Sequence, residues 1–361
     1  MVEFIRFPVR LYRECPQYVP PLEYERKQFF DPRKNPFFRH AAVRLFLAKS
    51  ERGETLGRIS AHVDRNYVRF HDEATGHFGF FDSVDDPDVA RALFGAAERF
   101  LREQGMTSVI GPLNFTTNDE LGVLVRGFEE PPFIMMNYNH PYYDRLIRES
   151  GYGKAKDLYA YYGEHGGKYP DFIRRMGDRI LQAGRVTVRE LDMKRFRQEL
   201  RTVKSIFNAA WERNWGFVPM TDEEIDYVAE NLKPLVDPSI IMFAYVDGKL
   251  AGLFIALPDY NLLLRGMGGK LFPFGFLKLL TVKRKIHRIR VMILGVVPEF
   301  RNMGIETVFL REVYRKSMAR GYLGGEFSWI LEDNEAINRV IRRIQPEPYK
   351  VYRIYGKTLG A

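Results

Sequence analysis

The chain is poor in cysteine, with one, Cys15, in 361 residues. A lone thiol closes no internal disulfide, and no Cys/His cluster has the spacing of a zinc site, so no metal is expected. Such sparing use of cysteine fits a reducing compartment, with Cys15 a bystander. Long apolar runs are missing as well. No stretch approaches the roughly 18 apolar residues that a membrane-crossing helix needs. The start, Met-Val-Glu-Phe-Ile-Arg, lacks the basic run and apolar core of a signal peptide. We therefore expect a cytoplasmic protein, at most peripheral to the inner membrane face. A third absence is local. From Tyr260 to Pro298 there is no Asp or Glu, while Arg265, Lys270, Lys278, Lys283, Arg284, Lys285, Arg288 and Arg290 all fall there. Those eight account for nearly all of the net charge of +9, so the basic character is one segment's property and points to a local anionic partner.

What is present is an ordinary globular composition, 45% apolar and 28% charged. At roughly 100–200 residues per domain the length suggests two domains, each able to bury a core. A short apolar-alternating piece at 3–7 precedes a Pro- and aromatic-rich stretch. Strand-like runs follow at 42–49, 56–63 and 76–84, then a helix at 87–104 with Pro at its start and Gly105 past its end. A strand at 108–111, a helix at 142–149 and a strand at 158–162 close the first half. The Gly-rich run 163–167 is the best linker. The second half predicts helices at 169–182, 193–211 and 221–232, the last opened by a Thr221/Glu224 capping box. Strands at 239–246 and 250–257 flank Asp247-Gly248, a strong hairpin signal. A strand at 290–297, a helix at 304–319, a strand at 325–331, a helix at 335–343 and a strand at 350–355 complete it.

The halves can be overlaid. Asn139 precedes a helix ending at Gly151 and a strand with Tyr159, Tyr161 and Tyr162. Asn334 precedes a helix ending by Pro346 and a strand with Tyr349, Tyr352 and Tyr355. Asn to helix end spans twelve residues in both. We expect a mixed α/β protein made by duplication, with domains 1–165 and 166–361.

The segment from Ile293 to Glu306 carries the chemistry. An apolar strand ends in Val-Val-Pro, and a loop with Arg301 and Gly304 opens a helix. Successive backbone N–H groups at a helix N-terminus bind anions, and glycine lets the backbone approach a diphosphate closely. The stretch resembles the pyrophosphate loop of the GNAT acyltransferase superfamily: Arg301 and Gly304 match, and Glu306 stands where the family has a small residue. The first half has no such loop; Asp82, Asp85, Asp86 and Asp88 occupy the corresponding place, so that copy is expected to be degenerate. The whole chain resembles bacterial two-GNAT proteins, through its Phe-Phe-Asp segment, its Asn-Trp-Gly-Phe-Val-Pro block and its Tyr-Arg-Ile-Tyr ending. More weakly, it is similar to GNAT-fold acyltransferases proposed to N-acylate sphingoid bases in bacterial ceramide synthesis.

The resemblance implies two tandem GNAT folds, mixed central sheets flanked by helices, with acetyl-CoA or a longer acyl-CoA as co-substrate. It implies that Leu294, Gly295, Val296 and Val297 hold the acyl carbonyl and pantetheine, and that Arg301, Asn302, Met303, Gly304 and Ile305 hold the diphosphate. Asn334 contacts the cofactor arm or only caps its helix. Amine attack on a thioester needs a base and an acid; Glu326 and Glu332 are base candidates, Tyr349 and Tyr352 acid candidates. Trp211, Glu212, Asn214 and Trp215 border the expected acceptor site as an apolar wall with polar groups, or form a packed helix exit. The insertion 258–289 joins Phe-rich and basic residues, as interfacial segments do. We expect an N-acyltransferase acting on a small-molecule or lipid amine, with an anionic membrane surface met through 265–290. The alternative is a non-catalytic pseudo-GNAT module binding an anionic partner. Phe-dominated aromatics and the lack of a motif argue against nucleic acid.

Overall fold

Period-two alternation in both halves forms strands, and these join into one mixed sheet. The computed structural model describes residues 1–164, 170–212, 214–265 and 285–360. The first half contributes β1 (Ala41–Lys49), β2 (Thr55–Asp64), β3 (Thr75–Ser83), β4 (Ser108–Gly111), β5 (Val123–Arg126) and β6 (Gly153–Glu164). The second contributes β7 (Val186–Glu190), β8 (Ile241–Val246), β9 (Lys249–Pro258), β10 (Arg288–Val296), β11 (Gly324–Leu331) and β12 (Lys350–Thr358). Their order is β1-β2-β3-β4-β12-β6-β11-β10-β9-β8-β7, with β5 beside β12. All neighbours are antiparallel except β3 with β4 and β10 with β11. Each half therefore has an antiparallel run ending in one parallel pair.

The last strands cross over. β12, from the end of the chain, lies between β4 and β6, and β6 lies between β12 and β11. Each half's final strand thus lies next to the parallel pair of the other. Gly163 and Glu164, expected in a linker, belong to β6, because their backbone pairs with Gly325 and Gly324. Residues 165–169, the rest of that linker, lie outside the described residues, as do 266–284, which hold most of the expected insertion.

Helices cover the sheet. Those of the first half are α1 (Val2–Leu11), α2 (Glu23–Phe29), α3 (Arg65–His71), α4 (Pro87–Glu103) and α5 (Tyr143–Glu149). Those of the second are α6 (Asp171–Gln182), α7 (Phe196–Trp211), α8 (Asp222–Leu232), α9 (Asn261–Leu264), α10 (Ile305–Arg320) and α11 (Glu335–Ile341). The 3–7 piece read as alternating is helical: in α1, Phe4, Ile5, Phe7 and Pro8 share one buried face, a 3.6-residue pattern too short to distinguish from alternation in sequence. The capping box of α8 and the Asp247-Gly248 hairpin form as their local chemistry dictates; Asp247 and Gly248 both take positive φ, at 49° and 80°.

Two cores correspond to the two halves. Leu93, Phe94 and Leu101 of α4 pack on Ile59 and Phe78 in one, and Val308, Phe309 and Leu310 of α10 pack on Phe254 and Leu257 in the other. His40 fastens one half to the other, its ring nitrogens 2.8 Å from Asp64 and 3.0 Å from Glu224 of α8.

Candidate active site

β10 and β11 run parallel only from Arg288–Val291 against 324–327. A bulge in β10 between Val291 and Ile293 bends the strand where the pair comes apart. Beyond it Leu294, Gly295 and Val296 pair with β9 on one side and with no strand on the other. Backbone groups facing such a gap are free to bind an extended ligand.

The strand then turns into α10. Asn302 and Gly304 adopt positive φ of 68° and 76°, and Gly304 is the N-cap residue. The left-handed conformation is what favours glycine at 304; a Cβ there would also lie 2.5 Å from the terminal methyl of Ile180, which would have to move aside. No side chain caps α10, and the N–H groups of its first turn are left for a ligand. Arg301 braces the loop, its guanidinium 3.4 Å from the Val296 carbonyl and 3.3 Å from that of Ala210 at the end of α7. Met303 is half-buried, Ile305 is buried, and Glu306, half-buried, sits in the first turn. Val297 donates to the Ala251 carbonyl. The equivalent turn of the first half is closed: Asp86 caps α4 by accepting from the Asp88 N–H at 2.8 Å.

Next to the β10–β11 gap lies a buried polar network. Glu326 is fully buried, and its carboxylate accepts from the Ser328 hydroxyl at 2.6 Å and from the Tyr349 hydroxyl. Arg290, also buried, donates through Nε to Ser328 Oγ at 2.9 Å and through Nη1 to the carbonyls of Ile134 and Met135. Burial pulls the Arg290 guanidinium down from its usual range, and the charge of Glu326 opposes this. Burial, then the Glu326 charge, raises both the Tyr349 and Tyr352 hydroxyls, so each stays a neutral donor. Lys350, buried beside them and lowered by burial, donates to the Pro131 carbonyl at 2.7 Å.

Two donors here lack partners among the described residues. The Tyr352 hydroxyl and Trp329 Nε1 are buried and unpaired. Their rings meet edge to face at 5.9 Å, and Arg290 lies 4.7 Å from the Trp329 ring. An unpaired buried donor costs about 1–3 kcal/mol; two side by side mark a place built for an incoming acceptor.

Three of the four catalytic candidates, Glu326, Tyr349 and Tyr352, thus come together. Glu332 is set apart. It lies six residues along the strand, roughly 20 Å away at a normal rise. Its carboxylate is held by Lys154 at 2.6 Å and by the Asp157 N–H at 3.0 Å, which makes it a strand-end fastener. Asn334 caps α11 by accepting from the Ile337 N–H at 3.3 Å. Trp211 packs the outer edge of its ring against Gly295, with no room there for a side chain, and stacks on Phe207. Trp215 joins the apolar cluster that includes Trp329, Tyr349 and Tyr352. Asn214 turns the chain through its N–H to the Trp211 carbonyl at 2.8 Å, and Glu212 is exposed.

The basic segment needs correction. Arg290 belongs to the interior network, and Arg288 is 2.9 Å from buried Asp259 and 4.3 Å from the Phe133 ring. Burial raises the Asp259 carboxyl to about 6 against the pull of Arg288. Neither arginine faces a surface partner. Arg265 and Lys285 are exposed, and the other four basic residues lie outside the described residues. Sequence reasoning missed Arg290 and Ser328 as site residues. The signal was a charge inside an otherwise apolar strand, which marks burial with a partner rather than a surface patch.

No protein-family model matches the chain. The chain is 39% identical to the bacterial ceramide synthase of Caulobacter vibrioides, covering 99% of this chain and 94% of that protein. It is 37% identical to protein YghO of Escherichia coli, over 99% and 92% of the respective chains. Its fold resembles the tandem GNAT protein from the clavulanic acid biosynthesis pathway, with a TM-score of 0.56 at 13% identity, covering 100% of this chain and 95% of that one. It also resembles a GCN5-related N-acetyltransferase from Sphaerobacter thermophilus, with a TM-score of 0.52 at 14% identity over 88% and 81%. With the diverging strands, the uncapped glycine turn and the buried Glu326 network, these likenesses make the chain an acyltransferase of tandem GNAT fold, a member of the family of the bacterial ceramide synthase.

Proposed function

We propose that the chain is an acyl-CoA-dependent N-acyltransferase that passes an acetyl or longer acyl group to a lipid-like amine. The observation that carries this is the Glu326–Ser328–Arg290–Tyr349 network, with two unpaired donors beside it, at the point where β10 and β11 separate. The diphosphate of the donor fits the first turn of α10, and its thioester arm fits along Leu294–Val296. In the reaction the ammonium gives a proton to Glu326, directly or through the Tyr349 hydroxyl. The free amine attacks the thioester carbonyl, forming the C–N bond. The tetrahedral oxyanion is met by donors of the Tyr352/Trp329 pair. As the C–S bond breaks, the second proton of the attacking nitrogen passes to the Tyr352 oxygen while the Tyr352 hydroxyl gives its own proton to the departing thiolate, so a neutral amide and a free thiol leave and Tyr352 ends as it began. The lipid-like acceptor is suggested by the name of the Caulobacter relative. The exposed Arg265 and Lys285 begin and end the basic stretch that would touch anionic lipid on the inner membrane face. Among the described residues no helix is long and apolar enough to cross a membrane.

Calorimetry with acyl-CoA and thiol release in the presence of a long-chain amine test the proposal. Binding and turnover are expected; no binding at millimolar acyl-CoA overturns it.

A further inference from the structure

The first half has its own gap. β3 and β4 pair only from Thr75–His77 against 108–110 and then separate. No diphosphate site opens beside it, since Asp86 closes α4. Instead, a cavity of about 350 Å³ lies there, lined by Phe80 and Asp82 at the end of β3 and by Pro112 just past β4. That is within the range of small-molecule sites, roughly 300–1,000 Å³. It is roofed by the N-terminal segment through Tyr18, Phe29 and Phe30, and by the second half through Val228 and Leu232 of α8 and Leu264 of α9.

The walls are mostly aromatic and aliphatic, and the polar part has one sign in excess. Arg26 pairs with Glu120 and lies 3.3 Å from Glu25, so one guanidinium faces two carboxylates. Asp119 adds a third, bonded by the Thr116 N–H at 3.1 Å and hydroxyl at 2.8 Å, with no ion pair among the described residues. Asp82, by contrast, is neutralised by Arg58 at 2.7 Å and bonded by Tyr12 and Tyr143. Burial, with the neighbouring Glu120 charge, pushes the Asp119 carboxyl up to about 7 against the bonds from Thr116 and the pull of Arg26.

The cavity backs onto the Glu326 network in two places. Its lining residues Ile134 and Met135 give their carbonyls to Arg290. A Cβ at lining residue Gly122 would lie 3.1 Å from Tyr352 Cβ. None of Leu294–Ile305 lines it, so it is distinct from the donor gap.

We propose that this cavity takes up the acyl acceptor: an amphiphile whose cationic amine is drawn in by the acidic excess at Asp119 and Glu120 and then moves past Gly122 and the 134–136 segment to Glu326, leaving its one hydrocarbon chain among the aromatic walls. The proposal rests on the N-acyltransferase reading and adds to it that the gap of the first half has been turned from donor to acceptor use. The acceptor enters from the first half while the donor lies in the second, and the 134–136 segment and Gly122 stand between the cavity and the Glu326 network.

The test uses the full chain and dodecylamine below its micelle concentration, titrated by calorimetry without acyl-CoA. Val228→Trp, which fills the cavity, is expected to weaken dodecylamine binding at least tenfold and to raise the KM for the amine while leaving the KM for acyl-CoA unchanged. Asp119→Asn, which changes no volume and guards against a misfolded Trp variant, is expected to weaken dodecylamine several-fold and leave dodecanol unaffected. If Val228→Trp instead raises the KM for long-chain acyl-CoA and spares the amine, the cavity holds the donor's chain and the proposal is overturned. Wild-type affinity in both variants overturns it too. Wild type that binds dodecylamine but not acyl-CoA would defeat the N-acyltransferase reading and the acceptor role with it, and leave the cavity only a binding site for an amine amphiphile.

Discussion

The two gaps of the sheet make a controlled comparison. Both open where a parallel strand pair separates, and both have a buried carboxylate, an arginine and tyrosine beside them: Asp82 with Arg58, Tyr12 and Tyr143 in the first half, Glu326 with Arg290 and Tyr349 in the second. They differ at the helix that follows. An aspartate closes α4, and a left-handed glycine leaves α10 open. In satisfaction they are alike: both carboxylates are partnered, and each gap has buried polar atoms with no hydrogen-bond partner among the described residues, Ser60 and His77 by the first, Tyr352 and Trp329 by the second. A duplicated frame thus keeps its geometry while one or two side chains decide which copy has a helix N-terminus capped by a side chain.

The largest effect should come from breaking the reactive side of that contrast. Glu326→Gln removes the proton acceptor and keeps the shape, and kcat for amide formation is expected to fall about 10²- to 10⁴-fold, with acyl-CoA affinity unchanged by calorimetry. Next is the turn itself. Gly304→Glu must place a side chain at φ 76° against Ile180, and acyl-CoA affinity should fall at least tenfold while kcat at saturation changes less. The matching change in the first half, Asp86→Ala, should lower stability by about 1 kcal/mol through loss of a helix cap, with acyl-CoA affinity untouched; a drop in that affinity would mean the first gap also holds the donor. Glu306→Ala should tighten acyl-CoA about two- to fivefold, because a carboxylate in the first turn of α10 competes with the diphosphate for the helix dipole.

The smallest effect concerns the bond between the halves. Burial disfavours charge on His40, but Asp64 and Glu224 outweigh it and raise its pKa from 6.5 to about 9. A raised value stabilises the fold through the protonated form. The contribution is complete below about pH 6.5 and disappears as pH rises through about 9. Wild type should therefore lose melting temperature over that range, and His40→Gln should lose less of it.

Most of the strand and helix order was legible in the sequence, since it depends on local pattern and on punctuation such as Thr221/Glu224 and Asp247-Gly248. The glycine turn that opens α10 was legible for the same reason, being contiguous. The reactive network was only partly so. Glu326, Tyr349 and Tyr352 could be named from their strands, but Arg290 read as part of a basic patch, because nothing local tells a buried guanidinium from an exposed one. Glu332 read as an equal candidate until Lys154, distant in sequence, proved to hold it. The cavity was illegible: its walls come from α2, the end of β3, the 119–122 and 132–136 segments, α8 and α9.

By itself the sequence determined the duplicated α/β frame and the glycine turn, because backbone conformation and amphipathic period are set by neighbouring residues. Tertiary structure alone decided that β12 and β6 exchange places, that the carbonyls of Ile134 and Met135 clamp Arg290, and that the first gap leads into a cavity. Those outcomes depend on pairings between residues more than a hundred positions apart, where hydrogen-bond satisfaction and burial, not local propensity, select the partner.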